Sequence, residues 1–278
     1  MKRKIISLGK RTAVTTLPSV WLREHKLQAG DSLDVEEHGN WLSLSIIGQK
    51  KESFKEDNIQ ELASMTDRYI GALYKAGYDK IKLKVKKKQI PIIQLTLEKT
   101  CVGLEIVKTT DTEVFIQKIA NLENIDVENL IKRMFFTLQS TAQDFLLALY
   151  TKKNEDFISV IKKDDQTNRL ADTIRRHLNK EQKDPLNYAL AEQLENIGDW
   201  YKNKAREKDL NISQDKLKKL NEIIELLYDL YFAFTLEKLE FFGKQTTEIK
   251  NSLKGEKSLE ALFTLLFDVH GIILTKKV

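Results

Sequence analysis

From Asp126 onward, apolar residues recur at helical spacing and keep doing so to the end of the chain. Leu130, Ile131, Met134, Phe135, Leu138, Ala142, Phe145, Leu146 and Leu149 form one stripe of a long amphipathic helix. Phe157, Ile158, Ile161, Leu170, Ile174 and Leu178 predict a second. Asp184 as N-cap and Pro185 in the first turn open a third, whose stripe is Leu186, Leu190, Leu194, Ile197 and Tyr201. Ser213 is expected to cap a fourth helix running through an aromatic-rich stretch to about Phe242, and a last helix is expected over 258–273. Long helices joined by short loops pack as antiparallel neighbours, so 121–278 is read as a helical bundle.

The first 48 residues read differently. Leu33 and Val35 alternate with Ser32 and Asp34, and His38-Gly39-Asn40 connects them to Trp41, Leu42 and Leu44, which is the pattern of a β-hairpin. Strands are also expected over 4–8 and 13–17, with a short helix over 19–25 behind Pro18 and a turn at Gly30-Asp31. Four short strands make a poor core by themselves, so a second copy is expected to complete it. Residues 50–57 read as a polar linker. The rest of 49–120 predicts a small α/β unit: a helix ending at Gly77, a strand with Ile81, Leu83 and Val85 inside, a helix near 91–97, and strands over 104–108 and 113–119 in the same sheet. The outer face of that first strand is Lys80, Lys82, Lys84 and Lys86. It fits an edge strand guarded against aggregation, with a phosphate-binding face as the alternative. The fold class is therefore α+β.

Composition narrows the reading. With 278 residues, 41% hydrophobic and 31% charged, the chain suits a globular protein of two or three units. Cys101 is the single cysteine and there are four histidines, too few for a disulfide or a structural zinc site, so a reducing cytoplasm is expected. No 18 consecutive residues are apolar and the apolar run at Ile5-Ile6 is too short for a secretory signal, so no membrane insertion is expected. The net charge of +5 is mild but unevenly placed. Lys2, Arg3, Lys4, Lys10, Arg11, Arg23 and Lys26 face only Glu24 within 1–27, seven cations against one anion.

Candidate chemistry concentrates in Leu194-Glu195-Asn196-Ile197-Gly198-Asp199. Glu195 and Asp199 are four apart on one helix face, where like charges repel unless a cation is shared between them or water screens them as an ordinary acidic face. Gly198 costs about 1 kcal/mol against alanine in a helix interior and suggests the close approach of another helix. Asp164 and Asn168 repeat the spacing one helix earlier, beside Asp165 and Asp172. Enzymatic signatures are missing: no Gly-rich phosphate loop follows a strand, no Gly-x-Ser-x-Gly occurs, and His25, His38, His177 and His270 are isolated in sequence. A non-enzymatic role is expected.

Two resemblances follow. Val160-Ile161 through Asp164 to Asn168, with the Glu195–Asp199 run, resembles the PhoU phosphate-uptake regulators, whose repeats carry a Glu/Asp-x-x-x-Asp signature. That resemblance implies a transition-metal site, iron or zinc, at Glu195 and Asp199 with Asp164 and Asp165 as weaker ligands, although Asn168 stands where an acid would and 213–278 holds no second such motif with a neighbouring glycine. Leu17-Pro18, Trp21-Leu22-Arg23 and Leu27-x-x-Gly30-Asp31-x-Leu33-x-Val35 resemble the SpoVT-AbrB swapped-hairpin domain of prokaryotic transition-state regulators and antitoxins. This implies an interleaved homodimer that holds double-stranded DNA through Lys10 and Arg23, with Lys4 and Arg11 beside them. The joined order (1–48, 49–120, 121–278) is similar to archaeal-type phosphate uptake regulators. It implies a cytoplasmic DNA-binding transcriptional regulator with a helical sensor domain. The alternatives are a regulator that only dimerises through its N-terminus and docks on a phosphate transporter or sensor protein, and an antitoxin-like protein.

Overall fold

The apolar stripes downstream of Asp126 fold as α4 (Val127–Thr151), α5 (Asn154–Glu181) and α6 (Pro185–Glu207), followed by α7 (Gln214–Phe232), α8 (Leu236–Ser252) and α9 (Lys257–Lys277). The structure, a computed structural model, describes residues 2–9, 12–39, 41–46, 53–120, 125–181 and 184–278. The chain divides into two compact units, Met1–Lys51 and Glu52–Val278. In the larger unit the stripes bury against one another, with Met134, Phe135, Leu138, Phe145, Ile174, Leu190, Leu220, Leu227 and Leu266 all inaccessible. Asp184 does cap α6, its carboxylate accepting from the Asn187 amide at 3.0 Å. The helix expected to run to Phe242 instead stops at Phe232. Thr235 is extended and its hydroxyl accepts from the Lys238 amide at 3.1 Å, which starts α8 anew. Apolar periodicity carries across such a break and does not reveal it.

α9 is long and apolar enough to cross a membrane by length and composition. Here Leu259, Leu262, Leu266, Val269 and Ile273 are buried in the bundle, with Glu260 and Asp268 on the exposed side.

The α/β part belongs to the same compact unit. Its sheet runs β5 (Phe54–Asn58), β6 (Lys80–Lys84), β8 (Glu113–Lys118) and β7 (Leu104–Thr109) in that order, β5 parallel to β6 and the other pairs antiparallel. Two expectations need correction. The 50–57 linker is partly a strand, because Phe54, Glu56 and Asn58 alternate on one face while Lys55 and Asp57 take the more sheltered one. β6 is interior, hydrogen-bonded on both sides, so its lysines are not guarding an edge. Lys82 instead pairs with Glu56 at 2.9 Å and Glu113 at 3.4 Å across the open face, and lies over the Phe115 ring. On the closed face α2 (Thr66–Lys75) and α3 (Ile90–Thr100) cover Ile81, Leu83, Val114 and Ile116. α2 starts after Ile59 and Leu62 because both lie in a turn whose carbonyls accept from the buried Gln89 amide at 2.8 and 2.6 Å.

The smaller unit contains β1 (Ile6–Leu8) paired with β2 (Thr12–Val14), then α1 (Ser19–Glu24), and the hairpin β3 (Leu33–His38) with β4 (Trp41–Ile46). The hairpin register sets His38 opposite Trp41 with Gly39 at φ +59, so β3 and β4 pair as the sequence implied. None of the described side chains of this unit is buried. Leu8 and Leu42 are each 63% exposed and Val35 is 56% exposed.

Candidate functional site

In the smaller unit, Pro18 delivers the first carbonyl of α1, accepting from the Leu22 amide at 3.1 Å, and the Asp31 carboxylate closes the following turn by accepting from the Gln28 amide at 2.7 Å. This local chemistry sets Arg23 in the last turn of α1. Lys4 lies in the extended lead into β1, its carbonyl held by the Thr15 hydroxyl at 3.4 Å. Both side chains are exposed, and neither makes an ion pair among the described residues. Lys10 and Arg11 lie outside the described residues.

In the larger unit, Gly198 is where α6 meets its neighbours. A Cβ there would stand 3.4 Å from Thr167 Cγ2, 3.6 Å from Leu138 Cδ2 and 3.7 Å from Asp164 Oδ1, so the close approach expected of this glycine is real. It brings the two acidic pairs together, but not around one point. Asp164 is 3% exposed and accepts from Lys202 Nζ at 2.8 Å and Asn168 Nδ2 at 2.9 Å. The same Lys202 ammonium holds Asp199. Glu195 turns to the buried Arg175 guanidinium, which also meets Glu192 at 3.1 Å and Asp172 at 3.4 Å. Asp165 faces Lys99 at 3.9 Å. The shared cation that the Glu195–Asp199 spacing called for is thus supplied in two pieces by the protein itself, Arg175 for one carboxylate and Lys202 for the other.

This bears on a metal. Asp164 Oδ1 is buried without a hydrogen-bond partner, which is what an open ligand position looks like, yet an ammonium stands between Asp164 and Asp199 and a guanidinium holds Glu195. Among the described residues no three of His, Cys, Asp and Glu converge on one point. In this arrangement Glu195, Asp199, Asp164 and Asp165 each face a cation of the protein itself rather than one shared point.

Burial pushes the Asp164 carboxyl above its ordinary value, against the pull of Lys202, while the carboxylates hold Lys202 charged despite its own desolvation. The ionised Asp164 therefore costs the folded state above its raised pKa, and that cost is relieved as pH falls through it. Asp164→Asn is expected to leave the thermal midpoint at pH 7 equal to the native value or above it, with the gap closing as the medium is acidified. A lower midpoint at pH 7 would show that the Lys202 pairing outweighs the burial.

Sequence reasoning missed a second cluster. Asp79, 2% exposed, accepts from Arg176 Nη2 at 2.7 Å and from Lys180 Nζ at 2.8 and 2.6 Å, while Arg176 Nη1 donates to the Tyr74 and Tyr78 carbonyls at 2.8 and 2.9 Å. Gly77, at φ +93, lets Lys180 pass where a Cβ would lie 2.6 Å from its Cγ. The cluster ties α5 to the loop between α2 and β6. Its one visible signal was the Arg175-Arg176 pair set among the apolar residues Ala171, Ile174 and Leu178, since charges placed beside a buried stripe need buried partners.

No family model matches this chain, and no curated protein or solved structure matches it.

Proposed function

We propose that the protein is a homodimeric, DNA-binding transcriptional regulator whose 1–51 unit is one half of a DNA-binding domain and whose larger unit is the sensor. The observation that carries this reading is the absence of any buried side chain among the described residues of 1–51, combined with the cationic excess of 1–27, seven cations against one anion. An apolar hairpin face that stays in water favours neither folding nor solubility, so it calls for a partner surface, and a second copy offers the matching one. Lys4 and Arg23, exposed and without ion pairs among the described residues, suit phosphate contacts, which bind through counterion release. Signal transfer then requires the sensor to bind its effector differently in two arrangements of the dimer.

The test is duplex-DNA affinity by fluorescence anisotropy at two salt concentrations. Binding is expected to fall steeply with salt, to be lost in a chain beginning at Glu52, and to weaken by at least about tenfold at low salt in a chain carrying Lys4→Glu and Arg23→Glu. The same loss is expected for Lys10→Glu with Arg11→Glu. Equal, feeble binding by the full and truncated chains would remove DNA from the reading and leave the N-terminal unit as a dimerisation device.

A further inference from the structure

A cavity of about 650 Å3 opens between α4 and α5 beside Val102. A second, of about 590 Å3, also has Val102 and Arg169 in its wall and so adjoins the first. Leu130, Leu170 and Val102 give the lining of the first its apolar part. Two arginines line it, Arg133 from α4 and Arg169 from α5. Both are exposed, and neither makes an ion pair among the described residues. Elsewhere on α5 the arginines behave otherwise: Arg175 and Arg176 are buried against carboxylates. The wall holds one carboxylate, Asp126, which is engaged in capping α4 by accepting from the Asn129 amide at 3.0 Å, so the two guanidiniums leave a net positive field there, over a surface that also favours apolar contact. Gln166, in the same wall, adds an amide donor.

We propose that this cavity binds a metabolite-sized amphiphilic anion, its apolar body on Leu130, Leu170 and Val102 and its phosphate or carboxylate between Arg133 and Arg169. The volume falls within the range of about 300–1,000 Å3 typical of small-molecule sites. The guanidinium fork matches either oxyanion in a bidentate manner, which a lysine does not. A ligand in this place touches α4, α5 and the 101–103 connection between α3 and β7 at once. It therefore bridges the bundle and the sheet layer along the same helix that carries the Arg176–Asp79 cluster. The proposal does not depend on DNA binding, and its test involves no DNA.

The probe is 8-anilinonaphthalene-1-sulfonate, an aromatic body with one anionic group, titrated into the full chain and followed by its fluorescence. A saturable component is expected that weakens by about tenfold with Arg133→Gln and Arg169→Gln together, the loss expected when two charge-assisted donors are removed. The double variant also accounts for probe bound by the exposed apolar residues of 1–51. Gln166→Glu, an exposed single change that places a second anion in the wall beside Asp126, is expected to weaken the same component a few-fold while leaving the far-UV circular dichroism unchanged. Adenosine monophosphate and decanoate then identify the head group: displacement by the first assigns a phosphate, by the second a carboxylate. Identical titrations for the native and double-variant proteins, or displacement by neither competitor, would overturn the proposal.

Discussion

Arg176→Ala is expected to destabilise the 52–278 unit by about 3 kcal/mol or more, the low end of what breaking a buried ion pair costs. The low end applies because Asp79 keeps Lys180 at 2.6 Å when Arg176 is gone. Two further losses push the figure upward: the Tyr78 carbonyl loses its Arg176 donor, at about 1–3 kcal/mol for a sheltered group left unpaired, while the Tyr74 carbonyl keeps the Gly77 amide at 2.9 Å, and the guanidinium no longer lies over the Tyr74 ring. Lys180→Ala should cost less, since Lys180 is partly exposed and Arg176 still holds Asp79. Urea denaturation of the two variants separates these terms. The pH dependence gives a second readout. Burial by itself would push the Asp79 carboxyl up, but Lys180, the Ser53 amide and Arg176 hold it below the ordinary 3.8. Its contribution is therefore complete above that value and is lost as pH falls through the lowered one. Arg176→Ala should reduce that acid-side loss, opposite in sign to the behaviour expected at Asp164. Equal stability of variant and native protein would mean that the cluster only fills space.

What the sequence disclosed follows from which interactions are local. The α6 start at Asp184-Pro185, the turn at Gly39 and the end of α2 at Gly77 are decided within a few residues, and each was readable. So was the packing at Gly198, because a glycine inside a strong helix needs a non-local reason. The interior position of β6 was not readable: a lysine face looks the same on an edge strand as on an open sheet face, and only the parallel partner β5, concealed in a stretch that reads as a polar linker, tells the two apart. The acidic motif was legible as a problem of like charges, but its resolution was not. Lys202 lies three residues beyond Asp199 and was in view; Arg175 reaches Glu195 from another helix, and no spacing rule anticipates that. A metal at Asp164 and Asp199 would have to displace the Lys202 ammonium, which sets its affinity against an interaction already present.

Val35→Asp with Leu44→Asp is expected to convert the protein to a monomer and to abolish its DNA binding. The two residues face each other in the β3–β4 ladder, two along from the pair Leu33 and Ile46, so one side of the hairpin is a continuous apolar strip. On the single chain that strip is open, with Val35 56% and Leu44 40% exposed. Substitutions at such positions ordinarily shift stability by no more than about 0.5 kcal/mol. If a second copy covers the strip, each side chain contributes about 1.5–3 kcal/mol by burial, counted once per chain, and the new carboxylates would face one another out of water. The two situations therefore predict effects of very different size from the same variant. Light scattering after size exclusion reads the difference directly, with twice 32.2 kDa expected for the native protein against 32.2 kDa for the variant. The larger unit has its own cores and should keep its helical circular dichroism and thermal midpoint, so a loss confined to mass and DNA affinity would locate the defect in residues 1–51. A variant that keeps the dimer mass and binds DNA as before would place the subunit contact outside the hairpin and leave the open strip to some other partner.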